Sequence, residues 1–109
     1  MLHMEVYPAL PTEAASIRKE VFMEEQGFVE EFDEIDHQAR HIVVFNGEVP
    51  VGTCRFYWDQ ERNSYVLGRV AVRKAFRGQS LGLMLVQECE RQVIASKANK
   101  LFLAAQVRV

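Results

Sequence analysis

No stretch of this 109-residue chain approaches the roughly 20 consecutive apolar residues that a membrane-spanning helix needs. The N-terminus carries Glu5 and has no apolar signal core. A soluble, cytoplasmic protein with no membrane partner is expected. Cysteine is scarce. Cys54 and Cys89 stand far apart, without the paired spacing of a zinc or redox site, and read as two buried thiols in a reducing compartment. No metal site is expected. Also missing are the nucleotide P-loop, whose lysine is followed by Ser or Thr, and the three-glycine dinucleotide fingerprint. There is no repeat, linker or low-complexity segment. A basic excess is lacking too: the net charge is -2 and the basic residues are not interleaved with exposed aromatics, which argues against a nucleic-acid partner.

What is present fits a single domain over residues 1–109, with 49% hydrophobic residues and length enough for a core. The charge is divided unevenly. Residues 1–50 hold 11 acids and 3 bases, residues 51–109 hold 4 acids and 10 bases. Such halves could serve two ligands of opposite charge, or be merely solvated faces.

Met4 to Tyr7 reads as a first strand. Pro11-Thr12 then introduces a helix with Thr12 as N-cap, Ala14, Ile17, Val21 and Phe22 on one side, and a stop near Gly27. Between Glu24 and Asp36 there are seven acids and no base, as in an exposed loop or short helix that Phe28, Val29, Phe32 and Ile35 could pin to the body. His41 to Phe45 and Val49 to Trp58 are β-rich runs around Asn46-Gly47, a tight-hairpin signal because both residues tolerate positive φ. A turn through Asp59 to Ser64 leads to a third strand, Tyr65 to Val72. Ser80 to about Lys97 reads as a helix with Leu81, Leu85, Cys89 and Val93 at fourfold spacing, and Leu101 to Val107 as a last strand. The order predicts an α/β domain with a mixed, mostly antiparallel sheet flanked by helices.

The segment Leu67 to Val86 is the most informative. A β-branched run gives way to Arg73, Lys74 and Arg77, then to Gly78-Gln79-Ser80-Leu81-Gly82, where a helix opens. Small residues let a ligand approach the backbone, and a helix start supplies unpaired N–H groups. The combination suits a phosphate or pyrophosphate, although glycine also marks ordinary strand-to-helix turns.

This stretch resembles the acetyl-CoA signature of the GNAT N-acetyltransferases, Arg/Gln-x-x-Gly-x-Gly/Ala after a valine-rich strand, with Ser80 in place of the middle glycine. Ile17-Arg18-x-x-Val21-Phe22-x-x-Glu25-Gln26, Asp33-Glu34-x-Asp36, His41-Ile42-Val43 and Gly47-x-x-Pro50-Val51-Gly52 resemble the ElaA-like and YjcF-like branch of that family. The resemblance runs from about residue 17 to 107. It implies the GNAT-like acyl-CoA N-acyltransferase fold, C-terminally short: a helix, often carrying a tyrosine that protonates the leaving thiolate, and two more strands are expected to be missing.

The resemblance further implies an acetyl-CoA-dependent N-acetyltransferase that acts on an amine of a small molecule or protein by direct attack. Val70 and Val72 would bind the pantetheine arm through backbone groups, with the Val72 N–H aimed at the acetyl carbonyl. Arg77, Gly78, Gln79, Ser80, Leu81 and Gly82 would hold the pyrophosphate through main-chain N–H groups. Arg73 and Lys74 either meet the 3′-phosphate or are solvated. The acceptor nitrogen must be neutral to attack, which calls for a base. Glu25 and Asp36 are the candidates, each readable instead as a helix-end carboxylate and a turn residue. His37 and His41 are further candidates but sit where packing histidines are common, and Tyr57 and Tyr65 are strand tyrosines, which usually pack. Two alternatives stand beside the enzyme: a non-catalytic CoA-binding or interaction module, and a shortened domain completed as a homodimer through its C-terminal edge strand.

Overall fold

The structure, a computed structural model, describes residues 1–27, 32–96, 101–103 and 107–108, the last two stretches as backbone. Strand β1 (Leu2–Tyr7) leads to helix α1 (Thr12–Arg18), which runs on as a π-helical segment, Lys19–Glu25. A 3-10 turn, Glu34–His37, precedes β2 (Arg40–Asn46), β3 (Val49–Asp59) and β4 (Ser64–Val72). A 3-10 turn at Lys74–Phe76 then enters α2 (Leu81–Ala95), and β5 (Leu101–Leu103) and β6 (Val107–Arg108) follow. The sheet order is β1-β2-β3-β4-β5, with β6 also on β4. The first four strands pair antiparallel, and β5 and β6 run parallel to β4. The predicted mixed, mostly antiparallel sheet is the one observed.

Period-two alternation sends Ile42 and Val44 to one sheet face and Val43 and Phe45 to the other. Helix α2 covers the first face with Leu81, Leu85, Cys89 and Val93, all buried, packed on Val51, Cys54, Phe56, Leu67, Val70 and Val72. Helix α1 and the π segment cover the second with Ala14, Ile17, Val21 and Phe22. Gly52 lies where strands and α2 converge: a Cβ there would sit 2.9 Å from Val44 Cγ1 and 3.2 Å from the Ala71 carbonyl oxygen. No helix among the described residues is long and apolar enough to cross a membrane.

Three local expectations are corrected. Thr12 is not the N-cap: it is the first helical residue, Pro11 occupies the extended cap position, and the Thr12 hydroxyl donates to Glu13 instead. The hairpin pivots on Gly47-Glu48 rather than Asn46-Gly47; Asn46 pairs with Val49, and of the two predicted turn residues only Gly47 has positive φ. The acidic stretch is not simply exposed, because Asp36 is buried. Within it, Phe28 and Val29 lie outside the described residues, as do residues 104–106 of the expected last strand, while Phe32 lies against the Arg18 guanidinium at 4.9 Å.

Strand β4 carries one irregularity that shapes its end. Thr53 pairs with Ala71 but Arg55 pairs with Gly68, which leaves one extra residue on β4 and puts Arg69 at φ +53°. Such a bulge bends its strand and re-aims its side chains. Leu67 and Val70, three apart, consequently face the same core.

Candidate cofactor site

Past the bulge, β4 ends at Val72. The Arg73 N–H donates to the Val51 carbonyl at 2.9 Å, and because a trans peptide points its C=O and N–H in opposite directions, the Val72 carbonyl faces away from β3. In an extended strand the Val72 N–H lies on that same side. The chain then turns through Gly78 (φ +82°) and Ser80 (φ +62°) into α2. Ser80 is thus a left-handed residue with a Cβ, at a position where glycine is relaxed. The first bond of α2 runs from the Met84 N–H to the Ser80 carbonyl. Among the described residues, the amides of Gly78 through Leu83 find no acceptor in the protein. All of these residues except Gln79 border a cavity of about 280 Å³.

Of the cofactor residues read from the sequence, Val72, Arg77, Gly78, Ser80, Leu81 and Gly82 line that cavity and Gln79 does not. Val70 does not line it either and pairs with Val107 of β6. Phe76 and Leu83 line the cavity and were missed. Leu83 had a signal: it falls off the stripe of Leu81, Leu85, Cys89 and Val93, in the first turn of α2, and is 58% exposed. Arg73 leans toward α1, near Ser16 and Glu20, whereas Lys74 is exposed.

The Arg77 guanidinium is committed within the protein. Its Nε donates to the Val72 carbonyl at 2.9 Å, and Nη1 and Nη2 donate to Oε1 and Oε2 of Glu25 at 2.6 and 2.7 Å. The bonds from Glu25 outweigh partial burial and raise the Arg77 pKa above its ordinary value. Glu25 therefore has both oxygens committed to a guanidinium, an arrangement suited to holding rather than to accepting a proton.

Asp36 is committed still more deeply. It is 4% exposed, and its carboxylate accepts from Arg18 at 2.6 and 3.1 Å, from Arg55 at 3.0 Å and from the Asp33 N–H at 3.0 Å. Arg55 also forks onto Asp33, and Arg69 reaches Asp33 at 3.3 Å. Burial alone would raise the Asp36 pKa, but the bonds from Arg18 and from the Asp33 amide, with the guanidinium charges, hold it well below the usual carboxylate range. A carboxylate that resists protonation so strongly is a poor base. Asp36 anchors a buried ion network through Arg18 and Arg55. The same network holds His41: the buried imidazole touches the Asp36 carbonyl through Nε2 at 3.2 Å, and burial lowers its pKa, which keeps it neutral at pH 7. His37 is exposed at the end of its 3-10 turn. Tyr57 lies under Arg55, and Tyr65 packs on Phe56 and Trp58.

The profile of the Acetyltransferase (GNAT) family matches residues 5–108 of this chain. The chain belongs to that family. YjcF of Bacillus subtilis (strain 168), named as an uncharacterized N-acetyltransferase, is 34% identical over 98 residues, 88% of this chain and 69% of its own length. Membership places the chain among acetyltransferase enzymes. The crystal structure of Escherichia coli ElaA shares the fold with a TM-score of 0.85 at 24% identity, covering 97% of this chain and 79% of ElaA. A predicted acetyltransferase of Clostridium acetobutylicum, solved with acetyl-CoA, superposes with a TM-score of 0.69 at 12% identity over 97% of this chain and 82% of its own. Within this GNAT chain, Arg18, Asp33, Asp36 and His41, which carried the sequence resemblance, hold the helix layer onto the sheet.

Proposed function

We propose that this chain transfers an acetyl group from acetyl-CoA to an amine of a small molecule or protein by direct attack of the neutral nitrogen. The observation that carries the reading is the turn from Gly78 to Leu83, whose amides have no acceptor among the described residues and whose residues, Gln79 aside, border a cavity at the end of β4. Amides of this kind at a helix start fit a diphosphate. The family membership and the related fold solved with acetyl-CoA support the same ligand. Bound there, acetyl-CoA supplies an activated thioester carbonyl. The chain's own part is to hold the diphosphate on the amides of 78–83 and to offer the Val72 N–H, which faces away from β3, to the developing oxyanion. Neither Glu25 nor Asp36 is assigned the proton.

One observation favours a second reading, an interaction module without catalysis. Strand β6 pairs with β4 at Val70 and Ala71, along the edge where a pantetheine arm would add. Transfer then requires β6 to give way.

Thermal unfolding with acetyl-CoA tests the proposal. A ligand that binds only the folded state stabilises it by about 2.7 kcal/mol at 100 times its Kd, which raises Tm by roughly 10 °C or more in a domain of this size. Gly82→Val should remove the shift while circular dichroism shows a folded chain. No shift at saturating acetyl-CoA would overturn the assignment. A shift without free-thiol release across a panel of amines would select the second reading.

A further inference from the structure

The Glu25 carboxylate and the Val72 carbonyl come from opposite layers of the fold, one from the end of the π-helical segment and one from the end of β4. Arg77 bonds both at once. Its three bonds use Nε, Nη1 and Nη2 in one plane, a geometry that only a guanidinium provides. Both side chains are largely shielded, 16% exposed for Arg77 and 26% for Glu25, and shielding strengthens and orients charge-assisted bonds. The peptide from Val72 to Arg73 is thereby gripped from two sides, by Arg77 at its carbonyl and by Val51 at its N–H.

Resting on the acetyl-transfer reading, we propose that Glu25 and Arg77 are a pair of positioning residues: Glu25 fixes the Arg77 fork, and Arg77 fixes the end of β4 on which the thioester is presented. This gives Glu25 a role other than that of a base. It also commits the Arg77 guanidinium to Glu25 and the Val72 carbonyl, and leaves the diphosphate to the turn's amides. The cofactor turn and the helix layer then move as one piece.

The two roles of Arg77 predict opposite behaviour for Arg77→Lys. A point charge for the diphosphate would survive that change, whereas the fork would not. In the ligand-free protein, amide hydrogen exchange followed by NMR should quicken by roughly tenfold at Arg73, whose N–H donates to the Val51 carbonyl, in both Arg77→Lys and Glu25→Ala. Amides in the middle of α2, at Leu85 and Cys89, should be unchanged. Combining the two substitutions should add little, because either alone releases the same fork. Equal exchange in wild type and variants, or full additivity, would overturn the pair whether or not acetyl-CoA binds.

The second measurement uses ligand and turnover. Each single variant should raise KM for acetyl-CoA while the pH profile of kcat keeps its acidic limb. A flattened limb in Glu25→Ala would show Glu25 to be the base and overturn the positioning role. If acetyl-CoA fails to stabilise even the wild-type chain, the transfer reading falls, and the exchange data still decide the coupling.

Discussion

Asp36→Asn is the sharpest test of the ion network under the sheet. The change keeps the shape of the side chain and one accepting oxygen, and it removes the charge that faces Arg18, 1% exposed, and Arg55, 4% exposed. Removing one partner of a buried pair costs about 3–5 kcal/mol, because the remaining charges stay desolvated. Arg55 keeps its fork on Asp33, which places the expected loss near the lower end, about 3 kcal/mol. That is a large share of the about 5–15 kcal/mol that holds a domain of this size together. With a urea m value of about 2 kcal/mol per molar, the unfolding midpoint should fall by about 1.5 M. The pH dependence gives a second readout. The folded pKa of Asp36 is depressed, so its contribution is complete above the unfolded value of about 3.9 and is lost as pH falls from there toward the folded value. Below pH 4 the unfolded chain binds a proton that the folded chain refuses, and stability rises with pH. Wild type should therefore weaken steeply below about pH 4, and Asp36→Asn less steeply, with Asp33 supplying the remaining slope. A loss under about 1 kcal/mol with an unchanged acid limb would refute the network as a stabilising element.

Gly52→Ala should destabilise by about 1–3 kcal/mol through overpacking, since the stiff Val44 side chain and the Ala71 carbonyl cannot both retreat from a new Cβ; calorimetry should show a lower Tm, and an unchanged Tm would mean the strands relax freely. Ser80→Gly should raise stability by about 0.5–1 kcal/mol, the left-handed penalty less the added freedom of the unfolded chain, because the Ser80 side chain caps nothing. A lower urea midpoint would show instead that the hydroxyl holds the turn. Burial raises both thiols, Cys89 to about 12 and Cys54 well above its ordinary value, so Ellman's reagent should label neither until the chain unfolds; rapid labelling of the native protein would contradict the packing under α2.

Periodicity and turn chemistry made most of the fold legible. The fourfold stripe Leu81, Leu85, Cys89, Val93 states a helix face directly, and those four residues are buried together in the core. The β4 bulge was not legible, because Gly68-Arg69 has no turn signature and the left-handed conformation of Arg69 is imposed by the neighbouring pairs. The hairpin slipped by one residue because Asn46 and Gly47 both tolerate positive φ and only register selects between them. In the site, the amide turn was readable from small residues after a strand. The engagement of Glu25 and Asp36 was not, because their guanidinium partners lie 52 residues away for Glu25 and 18 and 19 away for Asp36, beyond the reach of local pattern.

The division of charge along the chain has an internal use. Asp33 and Asp36 meet Arg55, Asp33 meets Arg69, Glu20 approaches Arg73 and Glu25 grips Arg77. Every one of these pairs joins an acid of the first half to a base of the second. Each also joins the helix layer to β3, β4 or the turn that follows. The apolar contacts of Ile17, Val21 and Phe22 drive that layer onto the sheet, but burial of apolar area is non-directional and tolerates sliding. Forked guanidinium bonds do not. The burial supplies most of the attraction, and the ion pairs select the one alignment in which Glu25 comes within reach of Arg77 and, through it, of the Val72 carbonyl. Few of the acids that the sequence displays are left to solvent: among those of residues 24–36 that the structure describes, Glu24 and Glu34 are exposed without an ion pair, while Glu25, Asp33 and Asp36 are engaged by guanidinium groups.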